Sequence, residues 1–354
     1  MKKKLLVAIT AFLIIFIRYQ TTTSNYEVGQ RIKISSRVKT EPINYTDSQR
    51  IVLEGFIFYL PNYPRIEYGD DLIIEAEVGD RYLKNVKIID HQKPDSIAFK
   101  LRRQVNSFYR SAIPEPHSSL IAGMTIGSKA SIPEKFWESL KRSGTAHVVV
   151  ASGMNITLVS MFLLSILILF LPRNKALWVA LAGVWGYAFI SGFDAPIVRA
   201  AIMGSIAFWA QAAGRLNFAW RSLFISAFLM VIIKPHWLTD LGFILSFSAT
   251  ASLMLFEAKI RKKIQFIPSI FREGLSTSLA AQIFVAPIMF VTFGQFSLVS
   301  PVVNALVLWT VPLITIIGML SAIFGLVWFE LGMMVLYLTY PLTSWFIFVV
   351  ELFS

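Results

Sequence analysis

The chain has 354 residues, 55% of them hydrophobic and 15% charged, with a mean hydropathy of +0.62. That is too apolar for a soluble protein of this size, and apolar runs of membrane-crossing length between short charged turns predict a polytopic α-helical membrane protein. The net charge of +12 is no argument for nucleic acid by itself, because much of it (Lys2, Lys3, Lys4, Arg173, Lys175, Lys262, Lys263) flanks apolar runs, where the positive-inside rule accounts for it.

The absence of cysteine excludes disulfides and thiolate chemistry. The four histidines are scattered at no metal-ligand spacing, so neither a metal nor another cofactor is expected.

The amino terminus reads as an uncleaved membrane anchor over residues 1–20. Three lysines precede the apolar Leu5 to Ile17, and Arg18, Tyr19 and Gln20 stand where a small-residue cleavage site would be needed. Residues 21–95 change character to short alternating strands separated by turn chemistry such as Pro61-Asn62-Tyr63-Pro64 and Gly69-Asp70-Asp71, which predicts a small OB-like β-barrel. Phe56, Phe58 and Tyr59 on one of these strands are candidates for stacking DNA bases. Barrel core or a membrane interface is the plainer use of the same side chains.

Residues 96–144 hold two amphipathic segments suited to a membrane surface. The first presents Ile97, Leu101, Val105 and Phe108 at helical spacing and ends at Pro114; the second presents Phe136, Trp137 and Leu140, with Gly144 as a left-handed cap.

Residues 145–354 carry apolar runs at 146–171, 176–193, 196–213, 222–233, 237–256, 275–296, 299–328 and 331–353, giving about eight or nine transmembrane helices in all. Basic loops alternate so that the amino end falls in the cytoplasm and the β domain outside.

The first of these runs contains His147, Ser152, Gly153 and Asn155. In one continuous helix, at roughly 100° per residue, His147, Ser152 and Asn155 fall within an arc of about 140° and share a face. Small and hydroxylated residues also serve plain helix packing, whereas ionisable and amide groups at membrane depth mark a site or a hydrated path. Arg199, Asp240, Gln282 and Asn304 lie in or beside later runs, and prolines near the amides suggest broken helices around a wet interior.

The stretches SGTAHVVVASGMNITLVS (143–160), DAPIVRAAIMGSIAFWAQAAGR (194–215), DLGFILSFSATASLMLF (240–256) and AAQIFVAPIMFVTFGQFSLVSPVVNALVL (280–308) resemble the ComEC family of competence membrane proteins. The order of anchor, OB-like domain, amphipathic helices and multi-helix domain is similar too. The resemblance implies an inner-membrane channel that passes single-stranded DNA into the cytoplasm during natural transformation. His147, Ser152, Gly153 and Asn155 would form its narrow part, with Arg199, Asp240, Gln282 and Asn304 along the path. Many members carry a second histidine where this chain has Asn155. Members often continue into a metallo-β-lactamase-like domain, but no HxHxDH motif occurs here, so no nuclease activity carries over and a short or truncated member is expected. Implied partners are the lipid bilayer, a separate DNA receptor, a nuclease and, since no GxxxxGK motif is present, a separate cytoplasmic motor. Self-association stays open.

Two other readings compete. An intramembrane hydrolase would use Ser152 as nucleophile with a histidine base, but VASG lacks the first glycine of a GxSG pattern. A secondary transporter of a small solute would use the same broken helices, though no internal repeat is visible.

Overall fold

The structure, a computed structural model, describes residues 28–354 apart from 39, 45–46, 80–81, 95, 130–131, 151, 215–217 and 295–296. The expected anchor over residues 1–20 lies outside the described residues.

The first region is a small sheet structure in which inward apolar residues alternate with outward polar ones. Strands β1 (Arg31–Arg37), β5 (Asp71–Val78) and β6 (Leu83–Gln92) form one three-stranded sheet in the order β1-β5-β6. Strands β2 (Ile43–Asn44), β3 (Ser48–Leu53) and β4 (Phe56–Pro61) form another in the order β2-β3-β4. All pairings are antiparallel, with Ile34 opposite Ile74 and Ile51 opposite Phe58. Ile51, Leu53, Phe58, Leu72 and Ile74 meet between the sheets as one apolar core. The fully buried Gln49 organises the turn after β4: its Nε2 donates to the Pro61 and Pro64 carbonyls at 2.7 and 2.6 Å, and its Oε1 accepts from the Ile66 amide at 3.0 Å. Each of its polar atoms is therefore occupied, as a buried amide requires.

The rest of the chain is helical. Helix α1 (Ile97–Ala112) is followed by α2 (His117–Ile126), α3 (Glu134–Arg142) and the four-residue α4 (Ala146–Val149). Gly144 adopts φ +73° after α3, the left-handed closure expected of it. All ten residues of α2 are buried. This helix escaped the sequence reading, because a helix covered on every side shows no apolar stripe.

Helices α5 (Gly153–Phe170), α6 (Arg173–Ser191), α7 (Ala195–Ala212) and α8 (Ala219–Ile233) follow, then a short 3₁₀ turn at Pro235–Thr239. The two longest helices come next, α9 (Leu241–Lys263) and α10 (Ser269–Phe293), and then α11 (Ser300–Val307), α12 (Thr310–Val327), α13 (Phe329–Tyr337) and α14 (Tyr340–Leu352). Helices α1–α4 pack with α11–α14 around one core that includes Tyr109, Leu120, Met124, Val311 and Phe346. Close approach there depends on glycine: a Cβ on Gly318 would stand 2.8 Å from Thr125 Cγ2 and 3.0 Å from Ile121 Cγ2.

Among the described residues, four helical segments are long and apolar enough to cross a membrane: Ala146–Phe170 taken across its break, Leu241–Lys263, Ser269–Phe293 and Thr310–Val327. The pair α13 and α14, bent by 48°, makes a fifth if taken as one span. Not all of the eight or nine spans expected from sequence meet this measure of length and hydropathy among the described residues. The run 299–328 divides between α11 and α12 just before Pro312, and α8 has only 15 residues, about 22 Å at ~1.5 Å per residue.

One arginine joins the parts. Arg102 on α1 pairs with Glu41 of the sheet region at 2.6 Å, both side chains being almost fully covered. Its Nη1 donates to the carbonyls of Ile126 and Ile190, the final residue of α2 and the next to last of α6, each at 2.5 Å. Its guanidinium carbon lies 4.6 Å from the centre of the Tyr68 ring. Glu41 also accepts from the Lys129 amide. Burial raises the Tyr68 phenol above its ordinary pKa, with Arg102 pulling the other way.

Candidate functional site

The segment from Ala146 to Phe170 is not one helix. Val150 is extended (φ −87°, ψ 139°) and ends α4, and Ser152 is extended again (φ −124°, ψ 175°) as the N-cap of α5. The single helical face expected to carry His147, Ser152 and Asn155 is therefore not formed. His147, on α4, is exposed and Ser152, at the break, is half-exposed, whereas Asn155, in the first turn of α5, is 1% exposed.

Asn155 is a brace. Its Nδ2 donates to the Met124 carbonyl in α2 at 2.9 Å, tying the start of α5 to the sealed helix. It is buried behind the break, where His147 and Ser152 are open.

Gly153 is where the chain brings two predicted residues together. A Cβ at this position would stand 3.0 Å from Arg199 Nη2 and 3.4 Å from Ala200 Cβ, so the absent side chain lets the guanidinium of α7 approach the first residue of α5. Arg199 donates from Nη1 to the Thr250 hydroxyl of α9 and lies over the Phe247 ring, 5.8 Å from its centre. Its Nε is buried and has no partner among the described residues. Ser152 makes no side-chain cap bond. The first turn of α5 thus combines amide groups that an α-helix leaves without internal partners, the positive end of the helix dipole, and a cation. Positive charge gathered in this way has the chemistry of an anion seat, and phosphate is the anion that helix amino ends most often hold.

The remaining candidates divide. Asp240 is an exposed helix cap whose Oδ1 accepts from the Phe243 amide at 2.8 Å, so the carboxylate starts α9. Asn304 is 2% exposed and gives its Nδ2 to Ser278 and Ser300 hydroxyls at 2.8 and 3.1 Å, bracketing α10 to α11. Its Oδ1 is buried and has no partner among the described residues. Gln282 stays half-buried on α10.

Of the proposed stacking residues, Phe58 is fully buried in the sheet core, and Phe56 is half-buried and packs against that core. Tyr59 is 46% exposed and meets Tyr82 edge-to-face at 5.7 Å.

Phe247 and Thr250 were missed. The signal available was the SFSATAS run of α9 (246–252), small and hydroxylated residues beside an aromatic at one-turn spacing, which marks a face built for close approach. Three or more His, Cys, Asp or Glu side chains that would hold a metal occur nowhere among the described residues.

The family model described as Competence protein matches residues 124–354, which runs from the end of α2 through α14 and contains the whole of this arrangement. The chain belongs to the competence protein family. Among its relatives are ComE operon protein 3 of Bacillus subtilis, 25% identical over 249 residues, and competence protein ComA of Neisseria gonorrhoeae, 27% identical over 201 residues. An uncharacterized protein of Aquifex aeolicus is 28% identical over 264 residues. These matches cover 68%, 52% and 70% of this chain and 30%, 27% and 62% of the relatives, so the chain spans under a third of the first two. No solved structure matches it. The ComEC likeness read from the sequence thus holds for this competence protein, and its apolar helices are those of a membrane protein.

Proposed function

We propose that this chain conducts single-stranded DNA through the cytoplasmic membrane during natural transformation. In this reading the amino end lies in the cytoplasm, and the sheet region is an OB-like domain on the outer face. The carrying observation is the meeting of Arg199 with the first turn of α5 at Gly153. A polyanion cannot enter hydrocarbon, so its path needs fixed positive groups that leave the backbone phosphates free to move on. The Arg199 guanidinium and the α5 amides supply them, and Phe247 beneath the guanidinium offers an aromatic face to a passing base. His147 and Ser152, open at the break between α4 and α5, line the approach. Tyr59 and Tyr82 are paired exposed rings of the outer domain along which an arriving strand would lie.

In this reading the chain is the conduit, and a DNA receptor, a nuclease and a motor are its partners. Arg199→Gln keeps a polar side chain and removes the charge. Uptake of labelled DNA per folded molecule is expected to fall roughly tenfold or more, the scale of one lost charge-assisted hydrogen bond of ~1.5–3 kcal/mol. Arg199→Lys is expected to retain part of it. Undiminished uptake in Arg199→Gln at equal abundance removes Arg199 from the path.

A further inference from the structure

We propose that a cavity far from Arg199 in the sequence seats an acyl chain of an anionic phospholipid. It is about 430 Å³, within the roughly 300–1,000 Å³ range of small-molecule sites, and lies between the first turn of α10, the turn joining α11 to α12, and the start of α14. Ile270, Phe271, Trp309, Pro341, Leu342 and Trp345 line it.

The walls fix the chemistry of the occupant. Both indole N–H groups are spent on one acceptor, the Leu306 carbonyl, with Trp309 at 2.8 Å and Trp345 at 2.9 Å. The rings therefore turn carbon surface toward the cavity, and the other four lining side chains are hydrocarbon. A sugar or nucleotide needs placed polar groups that this lining lacks; an acyl chain needs none.

The surroundings point to the headgroup. Ile270 and Trp345 are 50% and 40% exposed, so the cavity is open to the surface of the molecule. Arg272 follows the lining Phe271 and donates from Nη1 to the Gln265 carbonyl at 3.2 Å, which turns it toward the connection from α9. The last turn of α9 carries exposed Arg261, Lys262 and Lys263. Arg272, next in the chain to a lining residue, and the basic end of α9, one short connection away in sequence, are the cations that a phosphate headgroup would meet. The site is independent of DNA conduction, and a chain that conducted nothing would still hold its lipid.

The test uses the full chain reconstituted in neutral phosphatidylcholine vesicles, with brominated phosphatidylglycerol or brominated phosphatidylcholine added as quencher of tryptophan fluorescence. The part of the signal lost in both Trp309→Phe and Trp345→Phe reports the cavity. Phosphatidylglycerol is expected to quench that part saturably and at a several-fold lower mole fraction than phosphatidylcholine. Arg272→Gln should bring the two curves together. The double change Lys262→Gln and Lys263→Gln, at an exposed helix end, should do so in part and guards against misfolding of the first variant. Equal, non-saturating quenching by both lipids overturns the proposal, as does a phosphatidylglycerol curve indifferent to both sets of charge changes. Quenching that appears only when the protein is diluted to monomers also overturns it, by assigning the cavity to a second copy of the chain.

Discussion

The half of the molecule built on α1–α4 and α11–α14 and the half built on α5–α10 treat polar groups in opposite ways. In the first, α2 is buried along its whole length and its histidine finds its partners inside: His117 Nδ1 meets the Thr343 hydroxyl at 2.7 Å and its ring stacks on Tyr340. Tyr109 donates to the Gly318 carbonyl at 2.9 Å. In the second, α9 buries only Phe243 and Ser252 of its 23 residues, and Arg199 is held by one hydroxyl and one ring with its Nε left over. A polar residue at membrane depth is therefore not in itself the mark of a path. Asn155 braces α5 against α2, whereas Arg199, beside an open helix start, keeps an Nε without a partner among the described residues.

Changes along the seam between these halves sharpen the contrast, and the largest effect belongs to Arg102, which touches the sheet region, α2 and α6 together. Arg102→Met leaves the Glu41 carboxylate covered without its counter-charge, a loss of ~3–5 kcal/mol. The midpoint of thermal unfolding in detergent is expected to drop accordingly, and adding Glu41→Leu should restore most of it. If Arg102→Met melts like the parent, the clamp is not what holds the sheet region in place.

Asn155→Ala comes next. It strips the Met124 carbonyl of its donor and is expected to cost ~1–3 kcal/mol in the same melt while leaving DNA uptake per folded molecule near normal. A collapse of uptake with unchanged stability would move Asn155 from brace to path. The smallest effect is that of Asp240→Ala, confined to an exposed cap of the open half and worth ~1 kcal/mol. A larger loss would mean that this carboxylate does more than start α9.

How much of this was legible in the sequence follows from how each element hides or shows its period. The strands and the Gly144 cap were readable, because alternation and left-handed glycine are local signals. The break beside Ser152 was not read: Ser152-Gly153 is a turn-marking pair, but apolar residues on both sides of it read as one run. Helix α2 was invisible for a related reason: buried all round between two prolines, it has no polar face to set off an apolar one. Phe58 and Tyr59 differ by one position and therefore point to opposite faces of β4, a distinction that needs the register, which composition does not provide. Arg199 was found as a charge in an apolar run, but its approach to Gly153 is tertiary and required the fold.

The most direct test of an open path at the α4–α5 break, sealed one turn further in, exploits the absence of cysteine from the chain. Single cysteines at His147, Ser152, Asn155 and Asn304 would be exposed in membranes to a charged, membrane-impermeant thiol reagent. The thiolate is the reactive form and needs water around it. His147→Cys and Ser152→Cys are expected to be modified readily, and less so when single-stranded DNA is present. Asn155→Cys and Asn304→Cys should stay unmodified until the protein is denatured. If the first two are as inert as the last two, no aqueous path reaches Arg199 and the account is contradicted.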